Sequence, residues 1–490
     1  MSVATSRAGN SNWEGAPAAI VRRTRPARRR AELGMLALVF ILVVGLYALA
    51  GVGASGSVPN STATFAGACL LLLLAGHIAL RRLAPNAAPM LLPLAGLLNG
   101  MGYVFISHLD RSEASQQALW TVVGLACFVA TLAFFPRAID FERYRYSIAL
   151  VGIVLLLLPL APHIGEDING ARLWAHVGPV SFQPEEFAKI ALAIFFASVL
   201  AERADLLATG TRRIGRWLVL DPRYLAPLVG AWALSLLILL AENDLGSSFL
   251  FFTLLVSLLW VATGRSAYLG LGAGLFGGAA VFALGVVHHA QTRVQAWLHP
   301  WAHFSTSGYQ IIEGWFALAA GGMWGLGLGQ GNPQVIPEAS TDFIFASIGE
   351  QVGLVGLTAI LAAYLLMMGS GLQAAVRAER SFNKLLATGL SLLLAVQVFV
   401  VAGGITRIIP VTGITLPFVS YGGSSLVSNY VLLAILLRIS DDNANELSQA
   451  ASGQGWSPAA TLGQNGVSEN PVPTGTGSTG TGTRAGSASL

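Results

Sequence analysis

The sequence predicts an all-α polytopic membrane protein with about twelve transmembrane helices. Of its 490 residues, 54% are hydrophobic and only 11% are charged, and a soluble domain could not bury that much apolar surface. Apolar runs of roughly bilayer length recur along most of the chain, with arginine-rich segments between them. One long break in this pattern, from Arg293 to Gly356, is rich in Trp, His, Gly and Pro. A loop of that length in a compact protein is usually functional or disordered, and its aromatic content argues against disorder.

The candidate spans are the apolar runs in chain order. They lie near residues 35–53, 64–80, 88–107, 119–135, 147–163, 186–201, 224–241, 247–263, 268–287, 343–368, 385–405 and 421–437. A basic leader, 1–34, precedes the first run, and a tail rich in Gly, Ser and Thr, 441–490, follows the last. Such a tail cannot build a core, so we expect a disordered cytoplasmic appendage.

The arginines predict the orientation of these spans. Nearly all Lys and Arg residues fall in segments that an inside N-terminus would place in the cytoplasm, and the outer cations are Arg111, Arg172, Arg293 and Arg407. This bias is typical of cytoplasmic loops. It favours an even number of spans, both termini in the cytoplasm and the loop 288–342 outside.

Composition also excludes some functions. The net charge of +4 is small and comes from arginines between apolar runs, which does not indicate nucleic acid binding. The two cysteines, Cys69 and Cys127, each lie inside an apolar run. They offer neither a disulfide framework nor metal-ligand spacing.

The first polar segment at the outer face is 166–189. Pro184 ends an irregular stretch, and the next helix opens with two acids that suit a helix N-terminus, Glu185 and Glu186. Glu186 and Lys189 are three residues apart and can pair on one helix face, either as a structural ion pair or in contact with substrate. Arg172 is a candidate for an anionic ligand such as a phosphate, or a surface arginine with no role.

Two further segments carry candidate binding residues. The short outer turn AENDLGSS, residues 241–248, places Asp244 either at a substrate or as the cap of the following helix. The stretch 403–430 packs Gly, Pro and Ser against helix ends and contains Arg407 and Ser424. Broken helices at membrane depth are tolerated only where they line a cavity or are buried in protein, so this stretch predicts a substrate groove.

The long loop holds the remaining candidates. Arg293 can hold a phosphate or a sugar carboxyl group, and Tyr309, like nearby tryptophans, can stack on sugar rings or anchor at the membrane interface. His299 and His303 have spacing that would suit a metal on a helix. The intervening Pro300 argues against a helix there, and no third ligand is evident.

Several strings along residues 90–440 resemble the SEDS family, the FtsW/RodA/SpoVE group of bacterial cell-wall proteins. They are NGARLW (169–174), FQPEEFAK (182–189), DLG (244–246), PEASTDFIFASIGEQVGLVG (337–356) and PVTGITLPFVSYGGSS (410–425). The family core has ten helices, which leaves the pair of helices in 35–87 as an N-terminal addition to a core of 88–440.

The resemblance implies a peptidoglycan glycosyltransferase. Such an enzyme polymerises lipid II at the outer face of the cytoplasmic membrane during cell-wall elongation or division, beside a class B penicillin-binding protein. The diphosphate of the substrate needs cations, and the reaction needs a base for the acceptor hydroxyl. The substrate diphosphate suggests a divalent cation, Mg or Mn, as a cofactor, and the sequence shows no evident ligand set for it.

The chain departs from the family pattern at the position implied to be essential. Where the family has a loop aspartate, this chain has His303, and where it has the serine of QPSE, this chain has Glu185. Three explanations stay open. His303 is itself the base; or another acid, Glu313, Glu338 or Asp342, has taken over; or the protein is a non-catalytic scaffold that activates its penicillin-binding partner. A lipid II flippase is the alternative from another functional class.

Overall fold

Long helices make up most of the protein. A computed structural model describes residues 16–168, 171–178, 180–209, 212–214, 217–219, 222–286 and 288–451. The helices are α1 (Ala16–Ser55), α2 (Thr62–Leu83), α3 (Leu91–Leu109), α4 (Arg111–Phe134), α5 (Ile139–Arg143), α6 (Arg145–Leu157), α7 (Glu185–Thr209), α8 (Pro222–Ala241), α9 (Leu245–Thr263), α10 (Ala267–Val286), α11 (His288–Leu298), α12 (Tyr309–Gly321), α13 (Ile344–Arg377), α14 (Ser381–Ile405) and α15 (Gly423–Ala451).

Each of the predicted apolar runs falls on one of these helices. Within the described ranges, 8 helices are long and apolar enough to cross a membrane. They are α1, α2, α3, α4, α9, α13, α14 and α15, and shorter apolar helices cover Arg145–Leu160, Ala226–Ala241 and Ala267–Val281. The mostly helical membrane fold is therefore confirmed, whereas the count of twelve spans and the position of the termini stay predictions.

The expectation of an all-α chain is wrong in one respect, because two small antiparallel sheets are present. Strands β1 (Gly165–Ile168), β2 (Ala171–Val177) and β3 (Val180–Phe182) form the first, and β4 (Arg212–Ile214) and β5 (Trp217–Val219) form the second. Gly178, between β2 and β3, has φ of +64°, which a tight turn accepts readily from glycine. Strands this short show too little alternation to be predicted from the sequence.

Helix α15 lies at the centre of the bundle. Leu432, Leu433 and Leu436 are fully buried, and α15 packs against α4. At their contact a Cβ on Gly124 would lie 2.6 Å from the ring of Tyr430, so only glycine allows this approach. Helices in a bilayer associate through close packing and polar contacts rather than through the hydrophobic effect.

Both termini of the described chain are more helical than predicted. Helix α1 begins at Ala16, inside the basic leader, and α15 continues to Ala451, beyond the expected start of the tail at 441. The rest of the predicted disordered tail, 452–490, lies outside the described residues.

Helix α13 is interrupted at Gly353, where φ is +65°. The glycine-rich loop after α12, residues 322–331, forms backbone hydrogen bonds with α13 on both sides of this interruption. The N–H of Leu354 donates to the Gly322 carbonyl at 2.9 Å, and the N–H of Leu326 donates to the Glu350 carbonyl at 2.9 Å. The loop therefore satisfies backbone groups that lipid could not.

Two ends of the bundle carry buried charge. We call the cavity end the one formed by the starts of α7, α9 and α15 with the segments 299–343 and 406–422. We call the Arg438 end the opposite one, where the C-terminal part of α15 meets the loops 84–90 and 135–138.

Candidate active site

A cavity of about 1040 Å³ opens at the cavity end. Its volume is at the upper end of the range for ligand pockets. The charged side chains that line it are Glu185, Glu186, Arg293, Glu338 and Asp342. Aromatic side chains that line it are Trp120, Trp174 and Tyr421.

The walls of the cavity are tied together by hydrogen bonds between distant segments. The backbone N–H of Gln183, just before α7, donates to Ser424 Oγ at 2.9 Å and so joins the starts of α7 and α15. The Ser420 hydroxyl donates to the Thr341 carbonyl at 2.6 Å, and the N–H of Tyr421 donates to the Ser340 carbonyl at 2.8 Å. These bonds fix the backbone that precedes Asp342. The predicted groove in 403–430 is therefore a wall of this cavity.

Asp342 and Arg293 face each other across Gly413. Arg293 Nη1 donates to the Thr412 carbonyl at 2.7 Å. A Cβ on Gly413 would lie 3.4 Å from Asp342 Oδ2 and 3.6 Å from Arg293 Nη2. Gly413 itself has φ of +77°, which favours glycine.

The proton affinities of this pair are shifted. Burial, and then the neighbouring Glu338 and Asp244, raise the pKa of Asp342 to about 7, although Arg293 lowers it. Burial lowers the pKa of Arg293. A carboxyl group with a pKa near neutral pH is suited to accept a proton from a sugar hydroxyl.

A second group of charges, Glu186 and Lys189, lies in the first turns of α7. Lys189 forms an ion pair with Glu186, and Ser428 Oγ donates to the same carboxylate oxygen, Oε2, at 2.9 Å. The pair expected from the sequence is therefore present and buried. Asp244 caps α9 by accepting the N–H of Ser247 at 3.0 Å, as the capping alternative predicts.

The turn before Asp244 adds another buried acid. Glu242 is 1% exposed, and burial, followed by the charge of Asp244, raises its pKa to about 9. Sequence analysis noted this residue only as part of the turn. Its environment depends on how α8 and α9 meet, which the local sequence does not encode.

The predicted base His303 does not line the cavity. It ends a 3₁₀ turn, Pro300–His303, and is half-buried. Its carbonyl accepts the N–H groups of Thr306 and Gly308, both at 3.0 Å. The proline does end helix α11 before this point, as expected. Glu313, on α12, is also half-buried and also outside the lining of the cavity.

Three other predicted binding residues lie elsewhere. Arg407 Nη2 donates to the Leu298 carbonyl at 2.8 Å, and its guanidinium lies 5.3 Å from the ring centre of Trp315. Arg407 therefore joins the segment after α14 to the end of α11 and to α12. Tyr309 packs edge-on against Phe304 at 5.7 Å. Arg172, on β2, is exposed, and its N–H donates to the Glu242 carbonyl at 3.2 Å.

Several residues that line the cavity were not predicted from the sequence. Tyr309 and loop tryptophans were the candidates for sugar stacking, whereas Trp120 and Trp174 line the cavity in the described structure. Glu185 was noted as the opening of a helix and as a departure from the family's QPSE, but not as a site residue; it lines the cavity and is 8% exposed. Trp174 and Glu185 lie in strings already quoted for the resemblance, which was the available signal.

Over the described ranges, no group of three or more His, Cys, Asp or Glu side chains is placed to hold a metal ion.

Comparisons with known proteins point in one direction. Residues 88–445 match the sequence profile of the FtsW/RodA/SpoVE family, described as "Cell cycle protein". Peptidoglycan glycosyltransferase RodA of Mycobacterium tuberculosis is 42% identical over 426 residues, which cover 85% of this chain and 91% of that protein. The probable peptidoglycan glycosyltransferase FtsW of Geobacter metallireducens is 34% identical over 66% of this chain and 84% of its own length.

Solved structures agree with the sequence comparisons. A chain in a peptidoglycan synthase complex, described for its coordination of polymerization and crosslinking, aligns with a TM-score of 0.59 at 25% identity. It covers 72% of this chain and 97% of the other. The rod shape determining protein RodA of Thermus thermophilus aligns with a TM-score of 0.54 at 25% identity, over 73% of this chain and 97% of its own.

Proposed function

The chain belongs to the FtsW/RodA/SpoVE family, and on that premise we propose a peptidoglycan glycosyltransferase whose reaction takes place in the cavity. It is a multi-pass protein of the bacterial cytoplasmic membrane. Its substrate is lipid II, in which a disaccharide-pentapeptide is joined to a lipid through a diphosphate.

The observation that carries the assignment of the site is the placement of Asp342 opposite Arg293 in a cavity large enough for a sugar diphosphate. Asp342 takes the proton of the acceptor hydroxyl as that oxygen attacks the anomeric carbon of the donor sugar. The diphosphate leaves from the other face, so the configuration at that carbon inverts. Arg293 lies at the same wall and offers its guanidinium to the leaving diphosphate.

The other lining residues suit the rest of the substrate. Trp120 and Trp174 offer ring faces on which sugars can stack. Glu338 increases the proton affinity of Asp342 by its charge. Glu186 lines the cavity, and Lys189 and Ser428 hold its carboxylate, which favours a structural role for Lys189 over direct contact with substrate.

Asp342, rather than His303, is therefore our choice for the base in this chain. His303 keeps the family's position in the sequence, but its ring lies outside the cavity lining. Glu313 has the same disadvantage. The relatives named above carry the glycosyltransferase name, which favours an active enzyme over a scaffold or a flippase.

The test is polymerisation of labelled lipid II by the purified protein. We expect Asp342→Asn to lower the rate by about 100-fold or more, the scale of a lost general base, whereas His303→Ala changes it by less than about fivefold. Each variant is compared with wild type with and without its partner, proposed to be a class B penicillin-binding protein. Glycan chains that vanish with His303→Ala and persist with Asp342→Asn would move the base to the loop histidine.

The orientation in the membrane is proposed from the arginine bias and is tested separately. A cysteine placed at Ser305, an exposed position of the long loop, should react with a membrane-impermeant thiol reagent on intact cells. Labelling that requires lysis would place this loop, and the cavity, on the cytoplasmic side.

A further inference from the structure

Glu185 is a buried acid on the wall of the cavity. It is the first residue of α7 and is 8% exposed. Its Oε2 atom has no hydrogen-bond partner among the described residues. A buried polar atom without a partner is costly, and Glu185 is also a lining residue of the cavity, so this position suggests a missing ligand.

The other neighbours of Glu185 are acids. Its carboxyl group is hydrogen-bonded to that of Asp244, and Glu186 and Glu242 lie near it. Two carboxylates are both acceptors, so a hydrogen bond between them requires one proton. Asp244 already accepts the N–H of Ser247 at 3.0 Å and lies near Arg293. Among the described residues, no cation or N–H group meets Glu185 Oε2, so we assign the shared proton to Glu185.

A proton on Glu185 lowers the negative charge of the cavity. Among the described residues, four carboxyl groups line the cavity, those of Glu185, Glu186, Glu338 and Asp342, against one lining cation, Arg293. Lys189 is engaged by Glu186. A diphosphate is anionic, and like charges at close range in a partly buried site are unfavourable. A neutral carboxylic acid removes one repulsion and supplies an O–H donor in its place.

We propose that Glu185 is protonated and therefore neutral, and that it turns its single O–H from Asp244 to the diphosphate of the lipid-linked substrate when that substrate binds. Glu185 then binds the substrate and leaves the proton transfer to Asp342. No covalent bond changes at Glu185, and its proton stays with it. The inference rests on the proposed function, since that function supplies the diphosphate.

The chemistry of the side chain allows a sharp test. If a neutral donor is what the diphosphate needs, Glu185→Gln retains binding, because the amide is neutral and also donates. Glu185→Leu has similar size and no donor, and it loses that bond. If Glu185 instead acts as a carboxylate, as a ligand of a cation or as a base, Gln fails as completely as Leu.

The experiment is equilibrium binding of undecaprenyl diphosphate to the full-length protein in nanodiscs. We expect a Kd within about threefold of wild type for Glu185→Gln and a Kd higher by about tenfold or more for Glu185→Leu, the scale of one hydrogen bond to a charged group. Glu379→Gln, an exposed acid-to-amide change away from the cavity, is the matched control. Repeating the series in EDTA should leave the difference between Gln and Leu unchanged.

Three results would overturn the proposal. Equal weakening by Gln and Leu would show that the negative charge is required. Unchanged binding in both variants would show that Glu185 does not meet the diphosphate. A difference that disappears in EDTA would assign the effect to a bound cation. Should Glu185→Leu fail to fold, judged by its melting temperature, Glu185→Met replaces it as the variant without a donor.

Binding of the lipid diphosphate does not require turnover, so the two hypotheses fail separately. Discrimination between Gln and Leu without any glycan synthesis by wild type would reject the polymerase and keep the diphosphate site. Glycan synthesis with equal binding by both variants would do the reverse.

Discussion

The cavity end and the Arg438 end of the bundle both bury charged side chains, and they use them differently. At the Arg438 end, Arg438 donates to the carbonyls of Leu83 and Leu132 at 2.9 and 2.6 Å. Asp441 and Asp442 accept the N–H groups of Asn86 and Ala138, each at 2.6 Å. These charges therefore tie loops to the central helix α15.

At the cavity end the charges face one another and an open space. Glu185 and Glu242 each keep one carboxylate oxygen without a partner in the described structure, and Asp342 faces Arg293 across Gly413. Carboxyl groups outnumber cations along the cavity. The difference teaches that burial of charge is not itself a sign of function. Charge bonded to backbone stabilises the fold, whereas charge in a cavity with unused capacity can act on a ligand.

The largest effect on stability is expected at the Arg438 end. Arg438→Met removes the bonds to Leu83 at the end of α2 and to Leu132 in α4, and it leaves the buried Asp441 without its ionic partner, 3.6 Å away in the native protein. Breaking a buried pair on one side typically costs about 3–5 kcal/mol. The melting temperature in detergent should fall by many degrees, while the polymerisation rate per folded molecule is kept. Arg377→Met, an exposed arginine at the same end, is the control; equal melting of the two variants would contradict the structural role.

A smaller loss of stability is expected for Lys189→Ala. This variant leaves Glu186 with Ser428 alone, and a lost hydrogen bond to a charged group is worth about 1.5–3 kcal/mol. Thermal melting in detergent measures the loss. Lost diphosphate binding at an unchanged melting temperature would instead show that Lys189 contacts the substrate. Lys189 would then belong with the charges that act on a ligand.

The pH dependence of the rate comes next. The base works when ionised, so with a pKa of about 7 for Asp342 the rate should fall as pH decreases below 7, by about tenfold for each pH unit. Glu338 raises this pKa and Arg293 lowers it. Glu338→Gln should therefore shift the acid limb of the pH–rate profile to lower pH. An acid limb that does not shift would show that ionisation of Asp342 does not control the rate.

The last prediction concerns Glu242, whose effect on stability depends on pH. Its pKa is raised from 4.5 to about 9, so the folded protein retains a proton that the unfolded chain loses, and this group lowers stability progressively as pH rises from 4.5 towards 9. Glu242→Gln does not titrate. It should be more stable than wild type at pH 8, by up to about 5 kcal/mol for a pKa raised from 4.5 to about 9, with less gain at pH 5. A gain that is the same at both pH values would show that the carboxyl group is not titrating in the fold.

Several local features could be predicted from the sequence, because a few neighbouring residues determine them. The start of α7 after Pro184, the cap of α9 at Asp244 and the Glu186–Lys189 pair all depend on residues within one helical turn. The family could also be recognised, because its strings are long and occur in order. The short strands β1–β3 were missed because a few residues carry too weak a periodicity.

The site itself could be predicted only in part. Arg293, Glu338, Asp342, Glu186 and Ser424 were chosen from the sequence and do line one cavity. His303 was chosen because of its position in a family pattern, and the fold of the loop 299–309 places it outside the lining. Trp120 and Glu185 were not chosen, because nothing in their own neighbourhood in the sequence marks them as partners of that loop.

The sequence by itself determined that the chain is helical, membrane-embedded and a member of this family, because apolar run length and motif order are properties of contiguous residues. Only the tertiary structure decided which charges meet. Arg293 and Thr412 are 119 positions apart in the sequence, yet Arg293 Nη1 lies 2.7 Å from the Thr412 carbonyl oxygen. The Glu185–Asp244 pair likewise joins the starts of two different helices. Electrostatic and hydrogen-bonding energies change over a few Å, so the chemistry of the site follows from how the segments pack.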